Sequence, residues 1–227
     1  MLAIQTSEAE QFRKATRQQV ETLGHYLPDN FQPAKILSGP RHKKGEKFRV
    51  GYLGSSNPIN QHSLFHFSNA LKKRPALMRS FSFHLAGAIC DSDTAQSSPF
   101  EKLGFVESAA SFYRDMDIIL NPNVGGTGLK IKSVEALSYG KPLVATADAM
   151  VGIETAEPFH HCSDIDALAD ALGELADDPD EIIRLGAAGQ DIFAAYSGAQ
   201  AETLDKLFPG ASAEQIALSG FQEQAPS

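Results

Sequence analysis

The chain has 227 residues, 42% of them hydrophobic, and 20 basic against 28 acidic side chains leave a net charge of −8. That length holds one large domain or one and a half, and the acidic balance argues against a general nucleic-acid binder, which needs a basic surface. No apolar run approaches the ~18 residues of a membrane helix and no signal-peptide pattern opens the chain, so the expected location is cytoplasmic, with membrane contact at most peripheral. Cys90 and Cys162 are too few for a disulfide framework, have no CxxC spacing, and read as buried or idle thiols.

Residues 1–26 open with a strand-like Leu2-Ala3-Ile4-Gln5. Ser7 and Glu10 form a capping box for a helix to about Gln18, and Val20 to Gly24 is a second short strand. Such a fragment has no larger sheet of its own to join. Residues 27–47, with Pro28, Pro33, Pro40 and the basic run Arg41-His42-Lys43-Lys44, read as a solvated linker.

From Phe48 the chain alternates strands and helices. Strands are expected at roughly 48–53, 81–86, 104–106, 118–121, 142–146 and 158–162, giving an α/β fold with a doubly wound, parallel, Rossmann-like sheet. The first strand ends at Gly54-Ser55 and is followed by a helix from about Asn60 to Lys73, with Leu64, Phe67 and Leu71 inward. The second ends at Gly87, and the third is Gly104-Phe105-Val106. Ser163 and Asp166 suggest a capping box for a helix through Leu168, Ala171, Leu172 and Leu175. A further helix is expected over about 180–196, a possible short one over 201–208, and a loose tail beyond.

The most informative stretch is Asn121 to Thr146, NPNVGGTGLKIKSVEALSYGKPLVAT. A buried strand runs into Gly125-Gly126-Thr127-Gly128, then a helix from near Leu129 with Ile131, Val134, Ala136 and Leu137 on one face. Gly140 and Pro142 stop that helix before the next strand, Leu143-Val144-Ala145. Glycines let backbone amides approach a ligand, and a helix N-terminus attracts anions. Lys130 and Lys132 add positive charge, and Glu135 is placed to accept two hydrogen bonds from a ribose diol. Together these suit a nucleotide, though neither GxxxxGK[ST] nor GxGxxG is present. The plainer reading of the glycines and lysines is a βαβ turn with a solvated lysine pair. Gly54, Ser55 and Asn60 are second-rank candidates, whose plainer roles are a turn and a helix cap.

Other constellations are weaker. On a strand, His160 and Cys162 would share one face and His161 the other, with no second ligand cluster nearby, so no metal is expected. No GxSxG elbow marks a hydrolase.

GGTGLKIKSVEALSYGKPLVAT resembles the donor-binding segment of family 4 glycosyltransferases, a retaining group with the GT-B fold. In that family a Glu, seven residues, Glu pattern is common. Glu135 matches the second, ribose-binding Glu, and Thr127 stands where the first would be. The resemblance implies donor contacts from Gly54, Ser55, Asn60, Phe105, Gly126, Thr127, Gly128, Lys130, Lys132 and Glu135, with Phe105 beside the base. It covers roughly residues 1–200: 1–26 as the end of an acceptor domain, 27–47 as linker, 48–200 as the donor domain, and 201–227 as tail. It implies sugar transfer from a nucleoside-diphosphate sugar to a glycan or lipid-linked acceptor, with retention and without a metal cofactor. This chain alone is expected to bind nucleotide and not to turn over, because the acceptor domain is missing. A nucleotide-sugar epimerase and a non-catalytic nucleotide-sugar-binding module are the alternatives.

Overall fold

The computed structural model describes residues 1–27, 46–126 and 128–210. The predicted linker therefore lies almost wholly outside the described residues, as do Thr127 and residues 211–227. The elements in chain order are β1 (Leu2–Ala3), α1 (Thr6–Ala15), β2 (Glu21–Thr22), β3 (Phe48–Leu53), α2 (Pro58–Lys73), β4 (Phe81–Ala86), β5 (Glu101–Gly104), α3 (Ala109–Asp115), β6 (Ile118–Asn121), α4 (Ile131–Ser138), β7 (Leu143–Ala145), α5 (Ile165–Asp177) and α6 (Pro179–Leu207), with single helical turns between some of them.

β3 to β7 form one sheet in the order β5-β4-β3-β6-β7, parallel at every pairing. The chain starts at the centre, winds out to β5, returns to β6 and winds out the other way to β7. The doubly wound α/β fold expected from the sequence is what forms. The winding reverses between β3 and β6, and the crevice beyond their carboxyl ends is the topological switch point.

Largely apolar runs make β3, β4, β6 and β7, because both of their faces are covered, whereas β5 at the edge is exposed. All four residues of β6 and all three of β7 are buried. One face packs Val50, Tyr52, Phe83 and Leu85 against Phe67 of α2 and Leu168 and Leu172 of α5. The other packs Ile119 and Leu143 against Phe112 and Met116 beside α3, Val134 and Leu137 of α4, and Phe193 of α6.

Residues 1–26 make a small unit: β1 and β2 pair in parallel, and α1 crosses over a core of Ala3, Ala9, Val20 and Phe12. It docks on α6. The Gly24 amide donates to Gln200 Oε1 at 2.6 Å, and the Tyr196 hydroxyl donates to the His25 carbonyl at 3.1 Å.

Several local expectations are corrected. β5 lies at Glu101–Gly104 rather than 104–106, because Gly104, at φ +72°, turns the chain and leaves Phe105 89% exposed. Residues 158–162 are not a strand: Pro158 opens a single 3-10 turn, and only the bridge Thr146–Cys162 reaches the sheet. Pro158 has no amide hydrogen to give a ladder. Asp164, not Ser163, caps α5, accepting the Ala167 amide at 2.8 Å. No Ser7–Glu10 box forms; Glu8 accepts the Ile4 amide instead, at 2.8 Å. The two C-terminal helices are one, α6, so the expected boundary at residue 200 falls inside a helix. Phe193, Tyr196, Gln200, Thr203 and Leu204 are all buried along it, and that packing overrides the weak helix signal at Ser197-Gly198. Among the described residues no helix is long and apolar enough to cross a membrane.

Candidate functional site

The carboxyl edge of the sheet is tied together by three glycines. The Gly54 amide donates to the Ala86 carbonyl at 2.9 Å, the Gly87 amide to the Gly104 carbonyl at 2.8 Å, and the Ile89 amide to the Gly54 carbonyl at 3.1 Å. Gly87 has φ +90°, and a Cβ there would lie 2.5 Å from the Gly54 carbonyl oxygen. Only glycine allows the loops after β3 and β4 to approach this closely.

Beyond β3 and β6 lies a pocket of about 380 Å³, whose wall includes Gly54, Ser55, Asn60, Asn123, Lys130 and Lys132. Asn60 is its hub and is only 2% exposed. Its Nδ2 donates to the Ser55 carbonyl at 2.8 Å and lies 3.0 Å from Ser55 Oγ, while its Oδ1 accepts from Lys132 Nζ at 2.8 Å. Asn57 caps α2 through the Asn60 amide at 2.8 Å. Lys132 also lies 4.8 Å from the centre of the Tyr52 ring, a cation–π contact. The Tyr52 hydroxyl is 3.2 Å from both Asn60 Oδ1 and Asn123 Oδ1, and its one proton serves either.

These partners of Lys132 are an amide oxygen and a ring face, neither of them charged. Burial, with Lys130 adding repulsion and Glu135 only partly offsetting them, brings the Lys132 ammonium down to about 7. Lys130 is lowered by burial as well, against an opposing pull from Asp148, and its Nζ donates to the Gly128 carbonyl at 3.1 Å. The glycine loop is fixed at its start by the Gly125 amide, which donates to Asp148 Oδ2 at 2.7 Å. Behind it, Asn121 Nδ2 donates to Ser133 Oγ at 2.8 Å, and Ser133 donates on to the Ala149 carbonyl at 2.7 Å. This chain anchors the first turn of α4 to β6 and to the turn after β7.

Of the residues singled out in the sequence, Gly54, Ser55, Asn60, Lys130 and Lys132 converge on one pocket. Gly126 and Gly128 lie in the adjoining loop with φ near +81° but do not line the pocket. Glu135 sits further along α4, outside the wall, and its Oε2 accepts from the Tyr113 hydroxyl at 3.0 Å. Phe105 points into solvent, 89% exposed. Thr127 lies outside the described residues. Sequence reasoning missed Tyr52, Asn123 and Tyr113. Tyr52 carries the same apolar signal in β3 as any core residue. Asn123 lies two residues beyond the end of β6 at the switch point, which was the one available signal.

The His160-His161-Cys162 run reaches the sheet beside β7. His160 is fully buried, with Nδ1 3.1 Å from Thr155 Oγ1, and burial brings its ring down to about 4. Burial pushes the Cys162 thiol up to about 11. Among the described residues no group of three or more His, Cys, Asp or Glu is arranged to hold a metal ion.

A doubly wound parallel sheet with this edge is a Rossmann-like nucleotide-binding type of domain. The family model described as "Glycosyl transferases group 1" matches residues 47–178, more than half of the chain. The chain belongs to the group 1 glycosyltransferases. None of the curated protein sequences compared with it matches. Among solved structures it is similar to Anabaena HepE in complex with UDP and glucose, at TM-score 0.66 and 18% identity over 91% of this chain and 62% of that one. It is similar to WaaG, a glycosyltransferase involved in lipopolysaccharide biosynthesis, at TM-score 0.55 and 14% identity over 92% of this chain and 62% of that one. The pneumococcal O-GlcNAc transferase GtfA in complex with UDP and GlcNAc gives TM-score 0.53 and 15% identity over 88% and 41%. At these identities the likeness establishes the fold. The chain spans about three fifths of the length of HepE and WaaG.

Proposed function

We propose that this chain is the donor-binding half of a retaining glycosyltransferase and holds a nucleoside-diphosphate sugar at the ends of β3 and β6. The observation that carries this is Lys132, a desolvated ammonium between Asn60 and Tyr52 at the switch point, with only uncharged groups in contact. A buried cation held this way is poised for a ligand anion, because a diphosphate supplies in direct contact the countercharge that Glu135 provides only in part. Family membership, and neighbours whose structures contain UDP, support the same reading.

The chemistry follows from where charge develops. As the bond between the anomeric carbon and the diphosphate oxygen breaks, negative charge grows on the departing diphosphate. Lys132, Lys130 and the amides at the start of α4 stabilise that charge more strongly than the bonded donor, and so lower the barrier. These groups are held in place beforehand by Asn60, Ser133 and Asp148 and need little reorganisation. Lysine charge takes the place a divalent metal fills in other transferases. Glu135 holds the ribose. The acceptor hydroxyl, on a glycan or lipid-linked sugar, comes from across the cleft.

Calorimetric titration with UDP, GDP and ADP tests this. One of them should bind, and Lys130→Ala and Glu135→Ala should each weaken it about tenfold, the worth of a hydrogen bond to a charged group. Binding of a nucleoside diphosphate that is indifferent to both substitutions would refute the assignment.

A further inference from the structure

Tyr113 is 1% exposed, yet its hydroxyl is spent on a residue of another helix. It donates to Glu135 Oε2 at 3.0 Å, from α3 to α4 across 22 residues of sequence. Its ring is stacked on Tyr139, with centroids 4.8 Å apart and planes 19° apart, and Phe112 meets it edge-on at 5.5 Å. Two aromatic neighbours therefore fix the ring and with it the hydroxyl. Burial first, and the neighbouring carboxylate second, raise the Tyr113 hydroxyl well above its ordinary range, so it stays a donor at any physiological pH. Glu135 Oε1 accepts no hydrogen bond from the described residues.

A glutamate on a helix surface samples several rotamers, and a carboxylate offers about four lone-pair sites. One fixed hydrogen bond to Oε2 sets the carboxylate plane and leaves Oε1, with one lone pair of Oε2, for a ligand. Two vicinal hydroxyls match that pair of acceptors. We propose that Tyr113 is a positioning residue for ribose recognition: held by Tyr139, it orients Glu135 so that the carboxylate selects a ribonucleotide over a deoxyribonucleotide. This rests on the reading that Glu135 meets the donor ribose. Neither tyrosine was singled out in the sequence, where both look like core residues.

The test measures a ratio of affinities. The tightest binder among UDP, GDP and ADP is titrated alongside its 2′-deoxy counterpart into the chain, Tyr113→Phe, Glu135→Ala and the double variant. Tyr113→Phe removes one oxygen, keeps the stacked ring, and is checked for an unchanged fold by circular dichroism. The parent chain should prefer the ribonucleotide about tenfold. Tyr113→Phe should cut that preference to about threefold, weakening the ribonucleotide more than the deoxynucleotide, which meets Glu135 through its 3′-hydroxyl alone. In the Glu135→Ala background the same substitution should do nothing further, because its effect runs through Glu135. An undiminished preference in Tyr113→Phe, or equal weakening of both ligands, overturns the positioning role and leaves the donor site intact. Equal binding of ribo- and deoxynucleotide by the parent overturns the role of Glu135 and this proposal with it. No binding of any of the three overturns the reading of the site itself.

Discussion

Lys132 Nζ lies 2.8 Å from Asn60 Oδ1, a contact across 72 residues that joins the first turn of α2, after β3, to the first turn of α4, after β6. It closes the switch point with a cation whose ordinary charge is held down by burial.

A pH dependence of binding follows. Lys132 titrates near 7 in the ligand-free chain, against an ordinary value of 10.5. A bound diphosphate restores the charged form, so binding takes up a proton above pH ~7. Affinity for the nucleoside diphosphate should therefore fall as pH rises from about 7 to 9. Titrations in buffers of different ionisation enthalpy should report proton uptake. A flat profile with no uptake would place the phosphates away from Lys132.

Asn60→Asp changes the partner from an amide to a carboxylate at nearly constant shape. A buried carboxylate beside Lys132 would hold the lysine charged and occupy it. The variant should fold, lose the pH dependence, and bind the diphosphate about tenfold more weakly, as read by calorimetry.

Gly87 and Gly104 separate two effects of glycine. Both have positive φ, but a Cβ at Gly87 would collide with the Gly54 carbonyl, whereas nothing lies within 4 Å of one at Gly104. Gly104→Ala should cost about 1 kcal/mol, the left-handed backbone penalty alone. Gly87→Ala should cost about 3 kcal/mol and also weaken nucleotide binding, because Gly54 must move. Urea midpoints of the two variants give the comparison.

His160 sets an acid limit. Its folded value near 4 lies below its ordinary 6.5, so the unfolded chain binds the extra proton first. The stability this neutral ring contributes is complete above pH ~6.5 and is lost as pH falls towards 4, amounting to about 3 kcal/mol. Urea midpoints should drop across that window in the parent and drop less in His160→Gln.

The sheet was readable where glycine breaks bracket apolar runs. β3, β4 and β6 stand close to where their residues suggest, because they are largely buried and most of their side chains are apolar, with Arg49, His84 and Asn121 among the polar exceptions. β5 is an edge strand whose Glu101, Lys102 and Leu103 face solvent, so its pattern looked like loop and attention moved to Phe105. α6 was divided at Ser197-Gly198 because its continuity comes from packing against residues 1–26, information absent from any local window. In the site, Lys130 and Lys132 were visible through their glycine loop. The meeting of Asn60 with Lys132, and of Tyr113 with Glu135, is set by strand order and has no signature in spacing.

The most direct measurement is a crystal structure of this chain with the nucleoside diphosphate that binds it. The expected result is a diphosphate in the pocket between Gly54 and Lys132, within hydrogen-bonding distance of Lys132 Nζ, and a ribose at Glu135. A nucleotide seated elsewhere, for example in the 550 Å³ cavity between α1 and α6 lined by Gln5 and Gln200, with Lys132 still on Asn60, would contradict the donor site.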